Sequence, residues 1–488
     1  MWLFVICLFV FCYFLRSKIS NRALYPPGPP TFPIIGNMLS VYIDLKKHKY
    51  HHKVWQSWSR IYGNILGLKF GLIRIVVVSG RELIREVSTR EVFDSRPDGF
   101  LYTMRSFGKK LGIVFSDGPV WNTTRRVLLK YLKHFGYGTR SMEVFIAEEC
   151  RDLVMLRISD AGTPVFVNQM FHIPITNILW RIVAGKRYSL NDKRLVRLCE
   201  LVTRLFRLSN MSGGVLTILP FLRHIIPDLI GFTEIKSVHN KLHEFILETI
   251  KEHRDSIDIN NPRDVIDAFL IEMIEHKATA ITEEELQIVC LDMLEAGMET
   301  VTNTAIFMLL HLVRNEKVQK RLQTEIDNVV GLSRTPSLDD RPNMVYTEAV
   351  LLETLRISSV AAVGIPHMAR EDARLGDYLI PKGTYILLAI HDLHNSNDWE
   401  DPDIFRPERF LKEGSLIQDD KILAFGLGRR RCIGEGLAKS ELFMFMTHLL
   451  QKFTLKVPDG DPMPSTDPID GITLSAKPFR VIFEPRFK

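Results

Sequence analysis

The sequence contains few cysteines and no closely paired cysteine motif. Six cysteines occur in 488 residues, and no two of them form a C-x-x-C pair. This scarcity excludes a disulfide-stapled scaffold and the common cysteine-rich zinc sites, because both need several cysteines at short spacing. Internal repeats, low-complexity tracts and interior linkers are also absent from the sequence. We therefore expect most of the thiols to be small, buried apolar groups.

A strong net charge is also absent. The formal charge is +6 at pH 7, with 63 basic and 57 acidic residues. This balance lacks the strongly basic character of nucleic-acid-binding domains, and we predict no nucleic-acid partner. A basic patch that faces an acidic protein or an anionic membrane surface accounts better for the excess.

The first fifteen residues contain no charged side chain, and Arg16, Lys18 and Arg22 follow them directly. Fifteen helical residues span roughly 22 Å, which is short of a bilayer core but tolerable with local thinning. A cleaved signal peptide is the alternative, but no basic segment precedes the apolar run and no small-residue cleavage site follows it. We predict an uncleaved membrane anchor at 1–22, a proline-rich spacer at 23–33 and a cytosolic catalytic domain at 34–488.

Hydrophobic periodicity predicts a mainly α-helical fold with small β-sheets in one large domain. Alternating Ile, Leu and Val predict a hairpin at 64–79, and the segment 376–391 reads as short strands. Thr282 to Glu285 reads as a capping box that opens a long helix ending near Arg314. Further helices are predicted at 343–357 and 433–452. The irregular stretch 392–431 is long for a compact domain, which indicates a functional loop.

The strongest chemical signal is the segment Phe425 to Gly434, which reads FGLGRRRCIG. Cys432 lies at the predicted start of a helix, where backbone N–H groups favour a thiolate and lower the pKa of the thiol. Gly428 and Gly434 leave room for a flat cofactor, and the arginines can bind carboxylates on it. A structural cysteine beside a basic surface loop explains the same residues, and the loop alone leaves both readings open.

The spacing F-x-x-G-x-R-x-C-x-G resembles the haem-binding loop of the cytochrome P-450 family, animal microsomal branch. The resemblance implies haem b as cofactor, with Cys432 as axial iron ligand and Phe425 in the cofactor-binding loop. It also implies that Arg430 contacts a haem propionate. An axial thiolate favours cleavage of the O–O bond.

Other segments are similar to further motifs of this family. Glu353, Arg356 and Arg409 match a buried triad that stabilises the haem-loop core. Ala296 to Thr300 resembles the acid–alcohol motif, which implies that Glu299 and Thr300 deliver protons and that Gly297 lies close to the cofactor. The remaining matches imply haem-propionate contacts and fall at Trp121, Arg125, Arg96 and His367.

The resemblance implies a monooxygenase at the cytosolic face of the endoplasmic reticulum. Electrons would come from NADPH through cytochrome P-450 reductase, with cytochrome b5 as a second partner. Both would dock on a basic face formed by residues 429–431 together with Arg126, Lys130, Lys133 and Lys439. The segment from Arg96 to Trp121 resembles insect members of the branch that contains steroid and xenobiotic hydroxylases. A hormone-like isoprenoid, a steroid or a xenobiotic is therefore the expected substrate.

The alternatives are an isomerase or dehydratase on the same fold, which Glu299 and Thr300 disfavour, and a non-catalytic haem carrier. The expected pocket is apolar and the expected substrate is lipophilic. The predicted pocket residues are Phe100, Leu101, Phe107, Leu205, Phe206, Ile218, Phe221, Met293, Val363, Ile472 and Leu474.

Overall fold

The computed structural model describes residues 25–138, 140–211, 214–275, 281–417 and 420–487. The predicted membrane anchor therefore lies outside the described residues. Helices make up most of the described chain, and the prediction of a mainly α-helical domain is confirmed. The helices are α1 Met38–His48, α2 His51–Tyr62, α3 Arg81–Thr89, α4 Phe100–Thr103, α5 Gly118–His134, α6 Arg140–Ser159, α7 His172–Ala184, α8 Lys193–Leu208, α9 Val215–Ile218, α10 Phe232–Ser256, α11 Val265–Glu275, α12 Glu283–Arg314, α13 Glu316–Val329, α14 Val345–Ser358, α15 Ile390–His394 and α16 Glu435–Lys452.

Small sheets lie at the edges of this helical body. The largest has four strands in the order β1-β2-β7-β4, and a second has three in the order β10-β13-β3. The pairs β5-β6, β8-β9 and β11-β12 complete the set in the described residues. The strands are β1 Ile65–Phe70, β2 Ile73–Val78, β3 Pro164–Phe166, β4 His367–Met368, β5 Ala373–Leu375, β6 Tyr378–Ile380, β7 Tyr385–Leu388, β8 Leu411–Lys412, β9 Ser415–Leu416, β10 Phe453–Lys456, β11 Pro468–Ile469, β12 Ser475–Ala476 and β13 Arg480–Pro485.

The hairpin predicted at 64–79 is present as β1 and β2, which pair antiparallel. The chain reverses at Gly71, whose φ of 59° is a conformation that favours glycine. The proline-rich segment packs against this hairpin, because the Gly67 N–H donates to the Pro27 oxygen at 2.7 Å. Residues 25–33 of the predicted spacer are thus held against the body.

The long helix α12 runs through the middle of the main hydrophobic core. Among the described residues it is the one helix long and apolar enough to cross a membrane, but 83% of its most apolar window is buried inside the protein. The helix is therefore apolar because it packs inside the protein core.

Thr282 caps the N-terminus of α12, because its hydroxyl oxygen accepts a hydrogen bond from the Glu285 N–H at 3.1 Å. The predicted capping box is wrong in its second half, because the Glu285 side chain accepts instead from Thr124 at 2.6 Å.

Two parts of the fold frame the functional site. The first is the middle of α12, and the second is the irregular chain that leads from α15 to the start of α16. The predicted helix at 433–452 begins two residues later, at Glu435. Cys432 therefore lies just before the first turn of α16, as the sequence pattern indicated.

Candidate active site

One internal cavity of about 400 Å³ brings together most of the residues that the motifs single out. Cys432 forms part of its wall, and Ala296 and Thr300 of α12 form another part. Arginine side chains line one region, whereas aliphatic side chains line most of the remainder. The cavity therefore combines a thiol, cationic groups and an apolar chamber. Its aliphatic wall includes Leu101, Ile113, Ile175, Leu179, Leu205, Met293, Val301, Val360, Ile365 and Ile472.

The loop before α16 presents the Cys432 thiol to this cavity. The Cys432 N–H donates to the Phe425 oxygen at 2.9 Å, which closes the loop. The side chain is exposed, and the space that it faces is the internal cavity. Burial raises the pKa of the Cys432 thiol, and hydrogen bonds from the N–H groups of Gly434 and Glu435 lower it only in part. The N–H groups thus lower the pKa as predicted, but desolvation outweighs them and the net pKa of the thiol is raised.

Two of the three glycines assigned to a flat cofactor also lie close to neighbouring helices. A side chain at Gly428 would collide with the backbone oxygen of Ser88 on α3. A Cβ atom at Gly297 would lie 2.6 Å from Leu179 on α7, so the glycine allows α7 and α12 to pack closely. Gly297 also lines the cavity. A Cβ atom at Gly434 would lie 3.7 Å from the Cys432 sulfur, so the third glycine does adjoin the thiol.

Arg430 lies in the cavity wall with unused hydrogen-bond donors. Its Nε donates to the Asp94 backbone oxygen at 2.8 Å, whereas Nη1 and Nη2 are buried and have no hydrogen-bond partner. The guanidinium lies 3.8 Å from the centre of the Trp121 ring. Burial lowers the pKa of Arg430 to about 10. A buried cation with unused N–H groups requires an acceptor, and the carboxylate of a bound cofactor satisfies that requirement.

Arg96 and Arg125 line the same cavity, but backbone oxygens occupy part of their hydrogen-bonding capacity. The Nη1 of Arg96 donates to the oxygens of Ile365 and Pro366 at 3.1 and 2.9 Å. Arg125 donates to the Arg431 oxygen at 2.9 Å. Burial lowers the pKa of Arg96 well below its usual range. These two arginines add positive charge beside Arg430, which suits an anionic ligand group.

Trp121 and His367 also line the cavity, although their donor groups point elsewhere. The Trp121 indole N–H donates to the Ile113 oxygen at 3.2 Å. The Nδ1 of His367 lies 2.8 Å from the Phe93 oxygen, and burial lowers the pKa of His367 to about 3. A neutral ring that donates through Nδ1 leaves Nε2 as an acceptor. In this state neither side chain directs its ring N–H into the cavity, and their contact with a propionate stays a prediction.

Glu353, Arg356 and Arg409 form a buried ion-pair network beneath the cavity loop. Arg356 donates to both carboxylate oxygens of Glu353 at 2.8 and 2.9 Å, and the Arg409 Nε lies 3.0 and 3.1 Å from the same oxygens. Arg356 also donates to the His394 oxygen at 2.7 Å. All three side chains are almost completely inaccessible to solvent. The network ties α14 to the irregular chain on both sides of residue 400.

Thr300 and Glu299 point in different directions from α12. The Thr300 hydroxyl faces the cavity and donates to the Ala296 oxygen at 2.7 Å. The Glu299 carboxylate is absent from the cavity wall and pairs with Arg207 of α8 at 2.9 Å. It also accepts from the Thr203 hydroxyl at 2.9 Å. The two neighbours diverge because successive helical residues are rotated by about 100°.

A second polar group in the cavity wall was not anticipated from the sequence. Arg105 pairs with Asp292 at 2.5 Å and with Glu295 at 2.8 Å, and His239 lies beside them. All four residues are buried and line the cavity. Acidic residues at 292 and 295 on the long apolar helix α12 were the available signal, because buried carboxylates need partners.

The predicted pocket lining is correct for less than half of its residues. Two predicted aromatic residues lie at the surface instead, since Phe107 and Phe221 are 46% and 55% exposed. The predicted residues that line the cavity are Leu101, Leu205, Phe206, Met293 and Ile472. The predicted residues absent from its wall are Phe100, Phe107, Ile218, Phe221, Val363 and Leu474.

The predicted basic face is present, although part of its charge is paired. Arg126, Lys130, Lys133 and Arg429 surround a shallow surface depression over α5. Arg429 pairs with Glu91 at 2.8 Å. Two further basic residues of this face, Arg431 and Lys439, share the Glu435 carboxylate.

Comparison with known proteins identifies the fold family. The family model "Cytochrome P450" matches residues 26–483. Over 99% of this chain, the sequence is 63% identical to the farnesoate epoxidase of Bombyx mori, covering 98% of that relative. It is 32% identical to the probable cytochrome P450 303a1 of Drosophila melanogaster and 34% identical to human cytochrome P450 2C8, each over 99% of this chain and at least 98% of the relative. With the cavity geometry, these matches show that the chain belongs to the cytochrome P450 family and is a haem-thiolate monooxygenase acting on a lipophilic substrate.

Proposed function

We propose that the chain epoxidises an acyclic isoprenoid carboxylate of the farnesoate type. The observation that carries this proposal is the 63% identity to the farnesoate epoxidase of Bombyx mori across nearly the whole of both chains. The aliphatic chamber suits a branched hydrocarbon chain, and the polar cluster around Arg105 suits a polar end group. A steroid or a xenobiotic without a charged end group would leave this buried charged cluster without a partner.

We propose that haem b occupies the region between Cys432 and α12. Cys432 would hold it through sulfur, with the Phe425 loop and Gly297 adjoining it. Arg430 would bind a propionate with its unused terminal N–H groups, supported by Arg96 and Arg125. When bound, the haem supplies oxygen activation, which the thiolate ligand promotes by donating electron density. Trp121 would orient Arg430 through ring contact, and His367 would act on a propionate only after gaining a proton.

Thr300 would hold the proton that the reaction consumes, at its Oγ1 on the cavity wall. The hydroxyl donates to Ala296 in the resting arrangement, and rotation about χ1 would redirect it into the cavity. Glu299 would resupply protons from the network with Arg207 and Thr203. The aliphatic wall would exclude bulk water from the reacting end of the substrate.

The redox partners proposed are NADPH–cytochrome P450 reductase and cytochrome b5. Their acidic surfaces would meet the basic depression around Arg126, Lys130 and Lys133, which lies close to the Cys432 loop through Arg429. The proposed location is the cytosolic face of the endoplasmic reticulum, with 1–22 as anchor, 23–33 as spacer and 34–488 as catalytic domain.

The test begins with the absorption spectrum of the reduced, carbon-monoxide-bound protein. A strongly red-shifted Soret band is expected for a thiolate ligand, and Cys432→Ser should lose it. Reconstituted with reductase and NADPH, the protein should convert farnesoic acid to an epoxide. A Soret band at the position typical of histidine-ligated haem would contradict the assignment of Cys432 as the ligand. A thiolate-type spectrum in a protein that forms no epoxide from farnesoic acid would contradict the proposed substrate.

A further inference from the structure

The cluster of Arg105, Asp292, Glu295 and His239 is built into the cavity wall at some distance from the Cys432 loop. Arg105 comes from the turn after α4, the two acids come from α12, and His239 comes from α10. The side chains of Arg105 and Asp292 are 6% and 0% exposed. A buried cluster of charged side chains beside an aliphatic wall is costly unless its members are fully paired.

Asp292 is fully paired, and it balances Arg105. One carboxylate oxygen accepts from Arg105 Nη1 at 2.5 Å. The other accepts from the backbone N–H groups of Ile113 and Val114 at 2.6 and 3.0 Å. Both carboxylate oxygens of Asp292 are therefore hydrogen-bonded within the protein, and they fix the loop and the guanidinium.

Glu295 and Arg105, in contrast, keep unused groups. Glu295 Oε2 accepts from Arg105 Nη2 at 2.8 Å, while Oε1 is buried without a hydrogen-bond partner. Arg105 Nε is likewise buried without a partner. The Nε2 atom of His239 lies 3.9 Å from Glu295 Oε1, which is too far for a hydrogen bond. The pair thus offers one cationic N–H donor, Arg105 Nε, and one carboxylate oxygen, Glu295 Oε1, and neither has a hydrogen-bond partner.

The histidines beside Glu295 do not supply the missing donor. Nδ1 of His239 lies 3.0 Å from the Ile235 oxygen, and burial lowers the pKa of His239 to about 3. The ring is therefore neutral with Nδ1–H as donor, so that Nε2 faces Glu295 as an acceptor. His243 is occupied by the Arg105 backbone oxygen and by Gln287, and burial also lowers its pKa. The ligand itself must supply the donor.

We infer that Arg105 and Glu295 form a subsite for the carboxyl end of the substrate, in which the substrate carboxyl group and Glu295 share one proton. One substrate oxygen accepts from Arg105, and the other meets Glu295 Oε1 through the shared proton. A carboxylic acid supplies both a donor and acceptors, whereas its methyl ester supplies acceptors alone. The inference rests on the proposed function for the carboxylate nature of the substrate, and it adds the residues that recognise it.

The shared proton follows from the local charges. Asp292 neutralises Arg105, so two further ionised carboxylates would leave two uncompensated negative charges in a buried site. Burial raises the pKa of Glu295 to about 7, with Asp292 also raising it and Arg105 lowering it. Above pH 7, binding of a carboxylate therefore requires uptake of a proton from solvent, and affinity falls with pH. Below pH 7 Glu295 already carries that proton, and affinity is insensitive to pH.

The position of the subsite also orients the substrate. Glu295 precedes Thr300 by five residues, which corresponds to roughly 7.5 Å along the helix axis. The carboxyl end is therefore held away from Thr300, and the hydrocarbon end is directed toward the Cys432 side of the cavity. Arg105 and Glu295 act as binding and positioning residues and take no part in oxygen activation.

The test measures dissociation constants of farnesoic acid and methyl farnesoate from substrate-induced shifts of the haem Soret band, using the full-length haem-loaded protein between pH 6.5 and 8.5. For the unaltered protein, the acid should bind about tenfold more tightly than the ester at pH 6.5, and its affinity should fall up to about tenfold per pH unit above 7. In Glu295→Gln the decline with pH should disappear, while the ester still binds within about threefold. Glu248→Gln on exposed α10 surface is the matched control and should retain the decline.

Arg105→Lys provides an independent test if Glu295→Gln loads haem poorly. Lysine keeps the charge but loses the planar pair of donors, so affinity for the acid should fall about tenfold or more while the ester changes little. Equal affinity for acid and ester, failure of the acid to bind, or a persistent pH decline in haem-loaded Glu295→Gln would each overturn the subsite. Normal discrimination without epoxide formation would support the subsite and contradict the proposed reaction.

Discussion

At the scale of single residues, neighbouring positions on α12 serve different surroundings. Thr300 faces the cavity and Glu299 faces α8, although the sequence motif treats them as a pair. Glu295 lies one turn earlier and returns to the cavity wall. Because 3.6 residues make one turn, a motif of adjacent residues in a helix does not place its side chains together. Thr300 and Glu295 therefore reach the same cavity from successive turns of α12, whereas Glu299 between them does not.

The first residue-scale prediction concerns Thr300→Ala. Removal of the hydroxyl deletes the proton carrier at the cavity wall, so epoxide formed per NADPH should fall several-fold and hydrogen peroxide release should rise. Both quantities are measured with the reconstituted reductase system. Thr249→Ala is the matched control, because its hydroxyl makes the same back-bond to the fourth preceding carbonyl on α10, away from the cavity. Unchanged coupling in Thr300→Ala would remove Thr300 from proton delivery.

At the scale of elements, α14 supports the irregular chain that presents Cys432. The support is electrostatic, since Glu353 receives both Arg356 and Arg409 in a site without solvent. Arg356 and Arg409 also lie over the Trp399 ring, at 5.4 and 6.0 Å from its centre. A long chain without regular hydrogen bonding is thereby fixed at a few strong points.

Arg356→Ala should strongly destabilise this part of the molecule. Loss of one partner leaves the buried Glu353 carboxylate facing Arg409 alone, which costs about 3–5 kcal/mol. We expect a large loss of haem-loaded protein, measured as thiolate-type carbon monoxide spectrum per amount of protein expressed. Arg204→Ala is the control, because it breaks an exposed pair with Glu234 and should leave haem loading unchanged. Normal loading in Arg356→Ala would show that the network does not hold the loop.

At the scale of the whole molecule, the described residues form a body with its own continuous core around α12. The family match begins at residue 26, close to the point where the chain starts to pack on β1. The body should therefore fold and bind haem without the preceding segment. Large apolar side chains nevertheless remain exposed on it, and Ile34, Leu72 and Leu229 are 85%, 96% and 81% exposed.

Deletion of residues 1–22 should leave the carbon monoxide spectrum intact and release most of the protein from the membrane fraction. The apolar run supplies the anchor in our proposal, whereas the body should hold the membrane only through weaker surface contact. The measurement is the fraction of haem protein in the pellet after a high-salt wash. If the truncated protein stays fully in the pellet, the exposed apolar side chains of the body dominate membrane binding.

Those parts of the fold and the site that depend on residues close together in the sequence could be predicted. The hairpin at 64–79, the long helix to Arg314 and the position of Cys432 before α16 follow from periodicity and turn residues, which act between near neighbours. The capping box failed because Glu285 finds Thr124, more than 150 residues away. The packing of Gly297 against α7 was not predicted, because Leu179, whose side chain lies nearest to a Cβ atom at this position, is on another helix.

The sequence by itself determined the family, the helical architecture and the reaction class, because those depend on motif spacing and hydrophobic periodicity. The tertiary structure alone decided which side chains share the cavity. It placed Arg105 against Asp292 and Glu295, turned Glu299 away and left the terminal donors of Arg430 unpaired. Pairing of buried charges joins residues that are distant in the chain, and burial sets their pKa values. Neither the pairing of distant charges nor the burial of a side chain can be read from motif spacing or hydrophobic periodicity.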